Sequence, residues 1–147
     1  MAKATRESFG ETILEAAADN PRLVVLDADL SKSTMTQAFM KKYPARHLEL
    51  GIAEQNMIGV AAGLALSGKV PVLTSFACFL IGRLENIRVS AAYNRTNMKL
   101  VGTHAGIGIG EDGTSQMGLE DVAAMRALPN MVVLQPADHE ETRQAVY

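Results

Sequence analysis

Short, continuous apolar runs separated by segments of helical period are the feature that most narrows the folds open to this chain. Leu23-Val24-Val25-Leu26 and Met131-Val132-Val133-Leu134 offer no polar face on either side of a strand, which suits strands covered by helices above and below. Alternation of such runs with helical segments is the pattern of parallel βα units. The spacing predicts helices over residues 6–19, 34–42, 54–66, 80–93 and 120–128, with a last one opening at Asp138. It predicts strands over residues 23–26, 47–50, 70–75, 99–102 and 132–135. The expected fold is α/β, a doubly wound and mostly parallel sheet with helices on both faces. In such sheets ligands lie beyond the carboxyl ends of the strands, so residues 27–34, 51–54, 76–79 and 104–116 are where chemistry is sought.

At 147 residues and 48% hydrophobic content, one domain spanning residues 1–147 is the expected organisation. The formal net charge is −2 and the fourteen lysines and arginines are scattered, a poor footprint for nucleic acid. The longest uncharged stretch, residues 70–82, contains Pro71 and is too short to span a membrane. Residues 1–7 hold no apolar signal core, so a cytoplasmic location is expected. The single cysteine, Cys78, lies between Ala77 and Phe79 and reads as a small hydrophobe. Residues 141–147 end in mid-helix without a stop signal, which predicts that the chain continues into further structure.

Four segments carry polar groups at predicted strand ends. Glu54, in Gly51-Ile52-Ala53-Glu54-Gln55-Asn56, stands where a strand gives way to a very apolar helix. Its plain role is to favour the helix N-terminal dipole; its sharper role is a partly buried carboxylate of raised pKa that shares a proton with a ligand nitrogen. Gly59 and Gly63 lie on one face of that helix and would admit a closely packed neighbour. The glycine-rich loop over residues 102–116 lacks the dinucleotide and Walker patterns. Its two polar residues His104 and Asp112 could converge on a phosphorylated ligand or simply face solvent. Asp27 and Asp29 resemble the pair of aspartate-nucleophile phosphatases, but no second acidic pair follows the last predicted strand. Turn and cap chemistry, with Ser31, Ser33 and Thr34 as candidate caps, is the plain alternative. Phe76 and Phe79 either pack in the core or form a flat slot for an aromatic ring.

The order of these segments adds what none carries alone. Asp-x-x-x-Ser-Thr, G-I-A-E-Q-N-M, T-S-F-x-x-F and T-H-A-G-x-x-x-G-E-D-G-x-S-Q-M-x-L-E-D together resemble the pyrimidine-binding domain of transketolases, across nearly the whole chain. The resemblance implies a thiamine diphosphate enzyme that transfers a two-carbon ketol unit between sugar phosphates. Glu54 matches the family's catalytic glutamate, which bonds the aminopyrimidine ring nitrogen and favours its imino tautomer. Asp29, Ile52, Phe76, Phe79 and Gln116 match cofactor-proximal positions, with Phe76 expected to stack on the pyrimidine. Ser33 and His104 match groups that hold the sugar phosphate, Asp112 one that reads a substrate hydroxyl, and Gln116 stands where many relatives carry histidine. Glutamine there points to the animal-type and split transketolases, and it positions a hydroxyl by hydrogen bonding rather than moving a proton.

The family's diphosphate and magnesium motif, Gly-Asp-Gly followed by Asn, is missing from the sequence. No metal ligand is therefore expected in this chain, and Mg2+ is assigned to the diphosphate-binding domain of an N-terminal partner subunit. A homodimer or heterotetramer is the expected assembly, inactive without that partner. Deoxyxylulose phosphate synthases and 2-oxo acid dehydrogenase β subunits share the architecture and remain alternatives, as does a non-catalytic assembly module.

Overall fold

The computed structural model describes residues 3–147. Four parallel strands form the sheet: β1 (Leu23–Asp27), β2 (His47–Glu49), β3 (Val70–Phe76) and β4 (Lys99–Thr103), in the order β2-β1-β3-β4. The helices are α1 (Thr5–Asp19), α2 (Gln37–Lys42), α3 (Glu54–Leu66), α4 (Ala77–Ile81), α5 (Leu84–Ile87), α6 (Asp121–Ala127) and α7 (His139–Val146).

Alternation along β1 sorts its side chains between two cores, as the pleat requires. Val24 and Leu26 join Met57, Ile58 and Ala61 of α3, Leu73, Leu80 and Ile87 on one face. Leu23 and Val25 join Phe9, Ile13 and Ala17 of α1, Phe39 of α2 and Val72 on the other. Both faces of the sheet are thus dry, which explains why its central strands need no polar alternation. After β2 the chain returns to the opposite side of β1 to form β3, so the topological switch, where such sheets open a crevice, lies between the carboxyl ends of β1 and β3.

At that switch stands Asp27, fully buried. Its Oδ2 accepts from the hydroxyls of Thr34 at 2.8 Å, Thr36 at 2.9 Å and Thr74 at 2.7 Å, and its Oδ1 accepts from the Leu30 backbone N–H at 2.6 Å. One carboxylate therefore ties the loop after β1 to the end of β3. These bonds hold Asp29 and Met35 at positive φ, 60° and 65°, conformations that cost a non-glycine residue roughly 1–3 kcal/mol each. Met35 in turn lies against α1 at Gly10, where an added Cβ would come within 2.4 Å of the Met35 carbonyl oxygen. Only glycine fits there.

Three expectations change. The helix predicted over residues 34–42 begins at Gln37, because Thr34 and Thr36 spend their hydroxyls on Asp27 instead of continuing a helix. The long helix predicted over residues 80–93 is broken after Ile81; α5 follows, then a π-helical stretch at Arg88–Tyr93. Carbonyls in that wider coil are taken by Thr96 Oγ1 at Ser90 (2.7 Å) and Asn130 Nδ2 at Ala92 (3.2 Å). The strand predicted over residues 132–135 does not form: β4 ends the sheet, and Val132 and Leu134 are 83% and 64% exposed. Met131 packs against the α3-side core, so the apolar run is anchored at one residue without joining a ladder. At Asp138 the expected start is seen, with its side chain accepting from the Glu141 N–H at 2.9 Å.

Replacing Asp27 by Ala removes the shared acceptor of the Leu30 N–H and of three buried hydroxyls, which keep only the carbonyls of Leu30, Ser31 and Leu26 for Thr34, Thr36 and Thr74. Urea unfolding should show a loss of about 3 kcal/mol or more, and a smaller loss for Asp27→Asn, which keeps one acceptor oxygen. Equal stability of all three proteins would show that the carboxylate does not organise this loop.

Candidate functional site

Every strand delivers a candidate residue at or just beyond its carboxyl end. Asp29 follows β1, Ile52 and Glu54 follow β2, Phe76 closes β3 with Phe79 one turn into α4, and His104 follows β4.

Glu54 is the first residue of α3 and is 5% exposed. Its Oε1 accepts from the Ser75 hydroxyl at 3.4 Å, the long end of the hydrogen-bond range. Among the described residues its other oxygen accepts no hydrogen bond. A carboxylate held by one long bond keeps acceptor capacity for a ligand donor. Burial raises the Cys78 thiol above its usual range against backbone hydrogen bonds that lower it, with smaller upward contributions from the charges of Glu120 and then Glu54. Cys78 is half-buried and free, the setting of a small hydrophobe rather than a nucleophile.

The two phenylalanines stack on each other, with ring centroids 5.5 Å apart and planes 8° from parallel. Phe76 is 4% exposed and also meets the His104 ring at 4.1 Å. It is enclosed, whereas Phe79 is half-buried. Of the two rings, Phe79 has the larger free surface.

His104 adopts φ of 56°, and its tautomer follows from its partners. Arg6 Nη1 lies 2.6 Å from His104 Nε2; guanidinium only donates, so Nε2 accepts and the proton resides on Nδ1. That Nδ1–H donates to Thr103 Oγ1 at 2.9 Å, and the Thr103 hydroxyl in turn donates to the Ser75 carbonyl at 3.4 Å. Burial first, then the Arg6 charge, holds the His104 pKa below its usual value, while Asp112 opposes them. Arg6 was not singled out from the sequence, since a lone arginine in the first turn of a helix looks like any other surface cation. Only the packing of α1 beside β4 brings it to His104, 98 residues away.

The loop after β4 folds back on itself. Gly106 N–H donates to the Gly118 carbonyl at 2.8 Å, and Gly118 rests on Ala77, where an added Cβ would meet the Ala77 Cβ at 2.8 Å. This closure sets the exposed Asp112 and half-buried Gln116 on short 3-10 turns. Ser33, half-buried in the loop after β1, and Gln116 make no side-chain hydrogen bond among the described residues. The structure therefore joins Glu54, Phe76, Phe79 and His104 through β3, Asp29 to the turn before α3, and leaves Ser33, Asp112 and Gln116 on the loops around them. Asp27 is not a nucleophile: it is fully buried and bonded to four donors, which removes the phosphatase reading.

Ile52, Ile107 and Leu119 are 83%, 76% and 65% exposed on segments that follow strand ends. Gly59 and Gly63 of α3 are exposed too, and a Cβ added at either would meet nothing within 4 Å. The close approach that these glycines permit is not made by any described element of this chain.

Acidification should weaken the fold through two histidines. His47 is half-buried, its Nε2 lacks a partner among the described residues, and burial lowers its pKa from 6.5 despite Asp27 and Glu49 nearby. His104 is lowered from the same value. The unfolded chain binds these protons first, so stability is full above pH 6.5 and falls as pH drops toward the depressed folded values. Unfolding free energies between pH 7.5 and about 5.5 should decline, and His47→Asn with His104→Asn should flatten the curve. A wild-type profile already flat over that interval would contradict this.

The family described as transketolase, pyrimidine binding domain, matches residues 1–147. A protein of Methanocaldococcus jannaschii named for a transketolase C-terminal section is 51% identical over 145 residues, 98% of this chain and 46% of that protein. Human transketolase is 40% identical over 144 residues, 97% of this chain and 23% of its own length. A solved structure described as the inactive β4 tetramer of a split gene transketolase superposes with a TM-score of 0.88 at 49% identity, covering 99% of this chain and 47% of that one. The chain spans less than half the length of each of these relatives.

Proposed function

Because this chain belongs to the family of transketolase pyrimidine-binding domains, we propose that it forms the pyrimidine half of a thiamine diphosphate site and that a diphosphate-binding partner completes it. The observation that carries this reading is Glu54, nearly buried at a strand end with a single weak hydrogen bond. That donor-poor carboxylate suits a ring nitrogen, and the half-buried Phe79, stacked on Phe76, suits a flat heteroaromatic ring. When bound, the cofactor supplies the carbanion chemistry that ketol transfer needs, while the protein supplies orientation and electrostatics.

The roles of this chain's residues follow. Glu54 holds or releases a proton at the pyrimidine nitrogen, and Phe76 and Phe79 supply apolar surface to the ring. Asp29, Ile52 and Gln116 flank the cofactor. His104 and Ser33 receive the anionic end of a sugar phosphate once the Arg6–His104 contact gives way, so that the Arg6 guanidinium and a protonated His104 Nε2 both turn to the anion. Asp112 accepts from a substrate hydroxyl. Mg2+ belongs to the partner's diphosphate domain. The uncovered apolar side chains Ile52, Ile107 and Leu119, with the open face of α3 at Gly59 and Gly63, support a second polypeptide packing over this edge. The assembled protein then moves a two-carbon ketol unit from a ketose phosphate to an aldose phosphate.

Glu54→Gln in the chain combined with its diphosphate-domain partner should reduce turnover by at least about 10²-fold with an unchanged circular dichroism spectrum. Near-normal ketol transfer by this variant would remove Glu54 from the chemistry and favour an assembly role for the chain.

A further inference from the structure

Glu49 closes β2, and its row in the sheet is shared with Asp27 and, across β1, with Thr74. Parallel register puts the Glu49 and Asp27 side chains on one face, yet they do different work. Asp27 is buried under the loop after β1. Glu49 is exposed, and its Oε1 accepts two backbone N–H groups at once, from Asp29 at 2.8 Å and from Gly51 at 2.8 Å. Both belong to left-handed turns, with φ of 60° at Asp29 and 68° at Gly51. Asp29 stands at the proposed cofactor site, and the Gly51 turn leads into Glu54 three residues later. A further bond, Leu50 N–H to the Asp27 carbonyl at 3.0 Å, joins the same two segments.

An exposed carboxylate commonly adds little to stability. This one is placed differently, because a single oxygen bridges two main-chain turns that carry different functional groups. Without it, the Asp29 turn and the Gly51 turn would be related through one backbone bond and the strand pairing alone. We propose that Glu49 is a positioning residue for the cofactor site, fixing the Asp29 turn against the turn that launches Glu54 so that both meet one bound pyrimidine. This rests on the function proposed above. What Glu49 supplies is an acceptor oxygen rather than a charge, so an amide in its place should serve, since a glutamine carbonyl accepts two N–H bonds as well.

The test compares wild type, Glu49→Ala and Glu49→Gln, each combined with the diphosphate-domain partner and titrated with thiamine diphosphate and Mg2+, with kcat read at saturating cofactor. Amide hydrogen exchange at Asp29 and Gly51 is followed in the same proteins. Glu49→Ala should raise the apparent cofactor Kd about tenfold, lower kcat by a similar factor, and speed exchange at both amides together. Glu49→Gln should stay within about twofold of wild type on each measure. Unchanged Kd and kcat in Glu49→Ala, with at most a lower Tm, would overturn the positioning role while leaving the site's function standing. So would a Glu49→Gln protein as impaired as Glu49→Ala. Wild type that binds no thiamine diphosphate would overturn the function and the role together.

Discussion

The edge of the sheet is organised around a fully buried carboxylate. Asp27 sits at the end of the central strand and gathers Thr34, Thr36, Thr74 and the Leu30 N–H around its two oxygens. Four donors share this one buried group, and losing it strands the Leu30 N–H and leaves the three hydroxyls only nearby main-chain carbonyls. From it follow the left-handed turn at Asp29, the packing of Met35 onto Gly10 of α1, the late start of α2 and the junction between β1 and β3. An acidic residue in a motif that resembles a nucleophile is thus the keystone of a loop, and the groups that face outward are those Asp27 and Glu49 hold in place.

Topology turns that loop into a site. The crossing from β2 to the far side of β1 opens the sheet between β1 and β3, and the residues that follow each strand are carried to one edge. Glu54 arrives by the start of α3 and is buried against Ser75. Phe76 arrives by the end of β3, and His104 by the end of β4, where Arg6 of α1 fixes its tautomer. Each comes from a different βα unit, so the cluster exists only when the sheet is complete. Exposed Ile52, Ile107 and Leu119 lie on the segments that follow these strand ends.

Much of this was legible in the residues. Runs such as Leu23-Val24-Val25-Leu26 announce a strand buried on both faces, and the change from Glu49-Leu50-Gly51 to the apolar helix after Glu54 marks a strand end with a carboxylate on it. The failures share one physical cause, since each depended on a partner that sequence order does not reveal. Residues 132–135 have strand character, but a strand needs a free edge in register, and none is occupied by them. Thr34 and Thr36 have ordinary helix-start chemistry until a buried aspartate claims their hydroxyls. Arg6 acquired its contact with His104 only through packing across 98 residues.

The central claim is that this chain supplies the pyrimidine wall of a cofactor site whose other wall is a second polypeptide. Calorimetric titration of thiamine diphosphate with Mg2+ tests it most directly, into the chain alone and into the chain mixed with a diphosphate-domain subunit. The account predicts heat of binding only in the mixture, with one cofactor per pair. Tight binding to the chain alone would contradict the half-site, and no binding in either case would contradict a cofactor role for this edge of the sheet.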